Sequence, residues 1–173
     1  IAGESLLSQI IVDKFLYHLP EYRQAKRFKE LGVEISTSSM NRWVHATADK
    51  LYGLYAAQME RVLSAGYIQV DETTHSITDR PGSARKGYIW AVRSVLVPGV
   101  FFYYDKGSRS GEVVLKMLKG YQGALQTDGY AAYSIFEEKK GVLPLGCMAH
   151  VRRKFENALT TTPEAKPALD YIA

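Results

Sequence analysis

Over the first 66 positions apolar residues recur at three- and four-residue intervals; beyond Gly66 they gather in short runs of Val, Ile, Tyr and Phe broken by Gly and Pro. The first pattern predicts three helices. Leu6, Leu7, Ile10, Ile11 and Phe15 form one stripe over about residues 5–18. Pro20 suits the first turn of a second helix, where its missing N–H costs nothing, and Gly32 suits that helix's C-terminal stop. Ser36 to Ser39 offers N-cap side chains for a third. Along it Met40, Trp43, Val44, Leu51, Leu54, Tyr55, Met59 and Val62 keep helical spacing up to Gly66. At ~1.5 Å per residue this helix would run roughly 40 Å, and Gly53 is the place for a kink or break.

The second pattern predicts strands at Tyr67–His75, Gly87–Val97 and Val100–Tyr104, the last reached through the turn Pro98-Gly99. Ser110 caps a helix to about Lys119, with Glu112 in its first turn. Ala124–Asp128 is a fourth strand, followed by a short helix holding Tyr130 and Tyr133. Val142–Met148 is a fifth; Pro144 within it is tolerated only at a sheet edge. Another helix begins near Ala149. Three meander strands followed by helix–strand units give an α/β domain with a mixed five-stranded sheet over 67–173, preceded by a helical annex over 1–66. The polar stretch Thr78–Lys86, with Arg80, Pro81, Gly82, Arg85 and Lys86, reads as a mobile hairpin loop.

At 46% apolar and 23% charged residues, the 173-residue chain has a globular composition, which excludes disorder and collagen-like repeats. No apolar run approaches the ~18 residues of a membrane span. The net charge of +4 leans mildly toward polyanionic partners. The single cysteine, Cys147, removes intrachain disulfides and Cys₂ or Cys₄ zinc sites. Ile1 has no basic region before its apolar neighbours, so no secretory leader is read there, and a cytoplasmic setting is the default.

Asp71 is the most informative residue. It and Glu72 are adjacent carboxylates inside an otherwise strand-forming run, and a carboxylate in a central strand is expensive unless paired or metal-bound. Strand alternation puts Asp71, Thr73 and His75 on one face and Glu72 on the other. The plain alternative is a strand end dipping into solvent. Asp128 ends an apolar strand just before Gly129, at the kind of strand terminus where open α/β sheets gather ligands; the plain alternative is a helix cap. If the first and fourth strands lie side by side and parallel, the two acids come within a few ångströms, and Mg²⁺ or Mn²⁺ would relieve their repulsion.

Gln69-Val-Asp-Glu-Thr73, Ser108-Arg-Ser-Gly-Glu112, Leu125-Gln-Thr-Asp-Gly-Tyr-Ala-Ala-Tyr133 and Gly146-Cys-Met-Ala-His-Val-Arg-Arg-Lys-Phe155 together resemble the transposases of the insertion sequence 66 family. Phe15-Leu-Tyr-His-Leu-Pro-Glu-Tyr-Arg23 and Gly32-Val-Glu-Ile-Ser36 before Trp43 are similar to the same family's upstream region. The resemblance implies a DDE-type DNA transposase with a ribonuclease H-like fold, Asp71 and Asp128 as catalytic metal ligands, and two Mg²⁺ or Mn²⁺ ions in the complete enzyme. It implies insertion-sequence ends and target DNA as partners, a homo-oligomeric active complex, no membrane, and a bacterial, nucleoid-associated location. It also implies a third acid in an Asp-Asn-Asn-x-x-Glu-Arg stretch that this chain does not contain, hence a central region with little strand transfer alone. Glu156 and Glu164 are weak local substitutes: the first on a helix with unmatched neighbours, the second in a loop-like Pro-flanked context.

The span 139–154 carries five cationic side chains and no acid. His150, Arg152, Arg153 and Lys154 suit phosphates flanking a scissile bond, and Arg109 near Ser110 is a further phosphate candidate; Lys139 and Lys140 read equally as solvated surface. Cys147 reads as a small buried hydrophobe, and His75 as packing or hydrogen bonding rather than metal ligation. The second and third helices have the look of a helix-turn-helix with Asn41, Arg42 and His45 near the recognition helix's start. Eight basic against seven acidic residues over 1–66 favour a helical bundle against the sheet instead. Two other functions compete: a complete ribonuclease H-like nuclease using Glu156, and an inert DNA-binding or assembly module.

Overall fold

The computed structural model describes residues 2–80 and 82–172, without the side chain of Asp79. The chain divides into two compact units, 1–56 and 57–173. The first holds α1 (Glu4–Phe15), α2 (Glu21–Glu30) and most of α3 (Thr37–Leu63). Pro20 is the N-cap of α2, and Gly32 takes the left-handed conformation beyond its end, as the sequence pattern predicts. The Ser36 hydroxyl accepts the Ser39 N–H at 3.1 Å, satisfying one of the donors that α3 would otherwise leave open. α3 runs through Gly53 without a break.

Ile10, Met40 and Val44 are the buried centre of this first unit, with Leu6, Phe28 and Trp43 packed around them. Two buried polar groups tie its first two helices. Asp13 receives Gln9 Nε2 at 2.7 Å and pairs with Arg27; Gln24 donates to the Leu19 carbonyl at 2.8 Å. Nearer the surface, Lys14 donates to Glu21 at 2.6 Å. That hydrogen bond holds the Glu21 carboxyl below its ordinary range. Its contribution to stability is therefore present at neutral pH and lost as pH falls through the lowered value. Glu21→Gln should flatten the acid limb of a stability-versus-pH curve by ~0.5 kcal/mol, as thermal melts from pH 3 to 7 would show.

The second unit carries the sheet, in the order β3-β2-β1-β4-β5. β1 (Tyr67–Arg80), β2 (Ser83–Ser94) and β3 (Val100–Asp105) form an antiparallel meander. β4 (Gly123–Thr127) and β5 (Val142–Gly146) then add in parallel after α4 (Gly111–Met117) and a 3₁₀ helix (Ala131–Phe136). This is the expected α/β, ribonuclease H-like arrangement, with Pro144 on the edge strand. α5 (Met148–Ala158), a 3₁₀ turn (Pro163–Ala165) and α6 (Lys166–Ile172) follow. The core lies on the sheet face bearing Ile68, Val70, Trp90, Val92 and Leu125, with Val114, Met117 and Phe136 also buried. On the last turns of α3, Val62 is buried, and a Cβ on Gly99 would come within 3.0 Å of it.

The stretch read as a mobile loop is ladder instead. Ser76 pairs with Lys86, Ile77 with Arg85 and Thr78 with Ala84, so the two strands continue as a ribbon past the end of β3 pairing at Tyr88. Ile77 packs beside Gly87, where a Cβ would come within 2.5 Å of it. Pro81 lies outside the described residues.

Candidate active site

β1 and β4 pair in parallel with Tyr67 opposite Ala124, Ile68 opposite Leu125 and Gln69 opposite Gln126. The offset is 124 − 67 = 57, and 71 + 57 = 128, so the same register carried two residues further sets Asp71 level with Asp128. Hydrogen-bonded strands lie about 4.8 Å apart, so Asp128, one residue past the end of β4, is set beside Asp71 within β1. Gln69 Nε2 donates to Gln126 Oε1 at 2.6 Å one step below, and Tyr67 donates to the same oxygen at 3.1 Å. These side-chain bonds pin the register on the face that carries the acids.

Asp71 and Asp128 line one cavity of about 250 Å³ together with Arg93, Cys147 and His150. Each acid already spends one oxygen on backbone: Asp71 Oδ1 accepts the Glu72 N–H at 3.0 Å, and Asp128 Oδ1 accepts the Tyr130 N–H at 2.9 Å. Oδ2 of each remains for a ligand. Two hard oxygen donors with open space beside them suit a divalent cation that keeps several waters rather than a closed protein cage. Among the described residues no group of three His, Cys, Asp or Glu side chains converges as a metal cage.

A second cavity of about 450 Å³ shares Asp128 and His150 with the first and adds Arg109, Tyr130, Arg153, Lys154 and Asn157. His150 Nδ1 is buried with no hydrogen-bond partner among the described residues, so it calls for a polar occupant. Four of the five phosphate candidates, Arg109, His150, Arg153 and Lys154, thus meet around Asp128. Arg152 does not join them: it pairs with Glu156 one turn along α5. The same pair occupies the Glu156 carboxylate, and Glu164 sits exposed in the 3₁₀ turn.

Lys139 lies over the Phe136 ring at 4.8 Å, and His75 meets the Tyr104 ring edge-on at 6.5 Å. Cys147 is half-buried at the N-cap of α5 and lines the acid cavity. Asn41, Arg42 and His45 are exposed on α3.

Sequence reasoning named Glu72 and Arg109 separately but missed their pairing and the part of Tyr133 in it. The Glu72 side chain is 2% exposed; its Oε1 accepts Arg109 Nε at 2.7 Å as well as Nη2, and its Oε2 accepts the Tyr133 hydroxyl at 2.6 Å. Burial and the Glu72 bond push the Tyr133 phenol far up, so it stays a donor. Burial works against the Arg109 charge, but the Glu72 hydrogen bond and charge outweigh it and raise the guanidinium's pKa. The signal was present in outline: an acid on the same strand face as Ile68 and Val70 must find a cation or donors.

The model of the family described as "Transposase IS66 family" matches residues 1–173. The chain belongs to that transposase family. Uncharacterized protein y4qI of Sinorhizobium fredii is 34% identical over 168 residues, covering 88% of this chain and 31% of its own length. Uncharacterized protein y4jD of the same organism is 32% identical over 190 residues, covering 100% of this chain and 37% of its own. The chain therefore spans about a third of the length of the curated relatives it matches. Every segment on which the IS66 resemblance was read lies within the matched residues, and no described helix of this transposase-family chain is long and apolar enough to cross a membrane.

Proposed function

We propose that this stretch is the central part of a DNA transposase's catalytic region, with Asp71 and Asp128 as two of its metal-holding acids. The supporting observation is the β1–β4 register, which sets both aspartates at one level beside a shared cavity. Mg²⁺ or Mn²⁺ held by their free oxygens would supply activation of a water or DNA 3′-hydroxyl and stabilisation of the leaving oxygen at phosphate. The chain's own residues supply the rest. Arg109, Arg153 and Lys154 form a cationic wall for the phosphates on either side of the reacting one, with His150 beside them as a hydrogen-bonding group. The Tyr130 N–H and the turn at Gly129 fix the carboxylate of Asp128 at the strand end.

Among the described residues no third acid converges on the pair, so strand transfer by this stretch alone is expected to be feeble, and the remaining acid would come from the rest of the protein. The competing nuclease reading needs Glu156 at the metal, whereas Glu156 is held by Arg152.

Fluorescence anisotropy with a 20-base-pair duplex tests the cationic wall. Arg153→Ala with Lys154→Ala should weaken binding roughly thirtyfold and reduce the slope of log affinity against log salt by about 2. The wall is not a DNA surface if affinity and slope both stay at the parent values.

A further inference from the structure

The Glu72 side chain is 2% exposed, and nothing in the proposed chemistry uses it directly. It follows Asp71 on β1 but points into the opposite face, where Trp90 stands beside it in register. Its three hydrogen bonds reach two separate parts of the chain. Arg109 comes from the segment between β3 and α4; Tyr133 comes from the 3₁₀ helix that begins three residues after Asp128.

The two arms close on each other. The Arg109 guanidinium lies over the Tyr130 ring, 3.6 Å from its centroid, and Tyr130 is the residue whose N–H holds Asp128 Oδ1 at 2.9 Å. One buried carboxylate therefore ties together the strand bearing the first aspartate, the turn after the second, and the arginine on the wall of the neighbouring cavity. Glu72 takes the Nε N–H and one Nη2 N–H of Arg109, which leaves both Nη1 N–H groups and the second Nη2 N–H for an oxyanion. A guanidinium held on one edge by a carboxylate and on one face by a ring loses little further freedom when it binds phosphate.

We propose that Glu72 is a positioning residue: it orients Arg109 toward a DNA phosphate beside Asp128 and fixes the Asp128 turn through Tyr133. This rests on the transposase reading above for the identity of the ligand, but not for the internal tie. The opposite role is physically reasonable as well, since an acid against an arginine can neutralise a DNA-binding charge. Affinity separates the two by sign.

The experiment uses the full chain, a 20-base-pair duplex and five variants. If Glu72 positions Arg109, Glu72→Gln and Arg109→Ala each weaken binding about tenfold and lower the salt slope by about 1. The double variant is then no weaker than either single one, and Glu72→Asp, which keeps the charge on a shorter arm, recovers part of the loss. Tyr133→Phe, which deletes one hydroxyl and conserves the ring, serves if Glu72→Gln fails to fold; a two- to threefold loss is expected from it. Unchanged or tighter binding by Glu72→Gln, or by Tyr133→Phe in its place, overturns the proposal.

If the parent chain does not bind the duplex, the DNA reading fails and the tie is decided by the Arg109 Nε–H resonance alone. Positioning requires that signal to be sharp and slow to exchange in the parent and broadened in Glu72→Gln, or in Tyr133→Phe if that variant replaces it; equal signals reject it.

Discussion

Replacing Asp128 with Asn should lower Mn²⁺ affinity on the order of a hundredfold, and Asp71→Asn should do the same. Each change removes one of the two negative charges lining the cavity while leaving the side chain's shape intact. In Asp128→Asn the new amide oxygen can still accept the Tyr130 N–H, so the turn at Gly129 is expected to hold and the fold with it. Titration calorimetry or Mn²⁺ electron paramagnetic resonance on the parent and both variants measures the effect, with circular dichroism as the check on folding. The outcome that counts against a shared site is asymmetry: if one variant loses the ion and the other binds like the parent, the two aspartates do not hold the same cation. In the whole protein both variants should lose strand cleavage together, since neither acid can do the other's work.

Gly123→Ala should cost about 3 kcal/mol and should also reduce Mn²⁺ affinity, though Gly123 touches neither aspartate. It opens β4 with φ +129, and a Cβ there would sit 2.2 Å from the Gly66 carbonyl oxygen and 2.7 Å from its carbon. Those are backbone atoms, which no rotamer change can move aside. The same Gly66 oxygen accepts the Ala124 N–H at 2.8 Å, and the Gly123 N–H goes to the Gly141 carbonyl at 2.7 Å. Relief of the clash must push β4 along or away from β1, and Asp128 travels with it. Gly120→Ala is the comparison. Its φ of +78 lies near the left-handed region that a side chain can reach at modest cost, and a Cβ would meet nothing within 4 Å, so it should cost about 1 kcal/mol and spare the ion. Urea unfolding and Mn²⁺ titration of both variants check the pair of outcomes; equal effects would show that strain alone, without the β1–β4 contact, explains the loss.

The helices through α5 and the strand cores were legible where one face is apolar; α6 was not read from the sequence. The level of Asp71 with Asp128 was legible only conditionally: the spacing of 57 becomes a contact once β1 and β4 are adjacent and parallel, and adjacency is a property of the whole sheet. The β1–β2 ribbon was misread for a physical reason. From Thr73 to Lys86 nearly every residue is exposed on both faces, so the period-two signal of a half-buried strand is absent there. What holds that segment is cross-strand backbone pairing, and composition is silent on it.

Arg152 could have been set apart from the other cations by its spacing alone, since Glu156 stands four positions on along the same helix. Glu72 could not have been matched to its partners in the same way. Arg109 and Tyr133 are 37 and 61 residues distant, and only the fold decides which of the chain's cations and hydroxyls reach a given buried acid.

Pro144 has a consequence for how copies of this molecule behave when crowded. The Cys147 N–H bonds back to Thr127, so by strand alternation the amides of Leu145 and Leu143 face β4 and the nitrogen of Pro144 faces outward. A stray strand approaching the outer rim would therefore meet a missing donor midway along a five-residue row. That gap discourages fibre-like pairing of sheet edge to sheet edge through this rim.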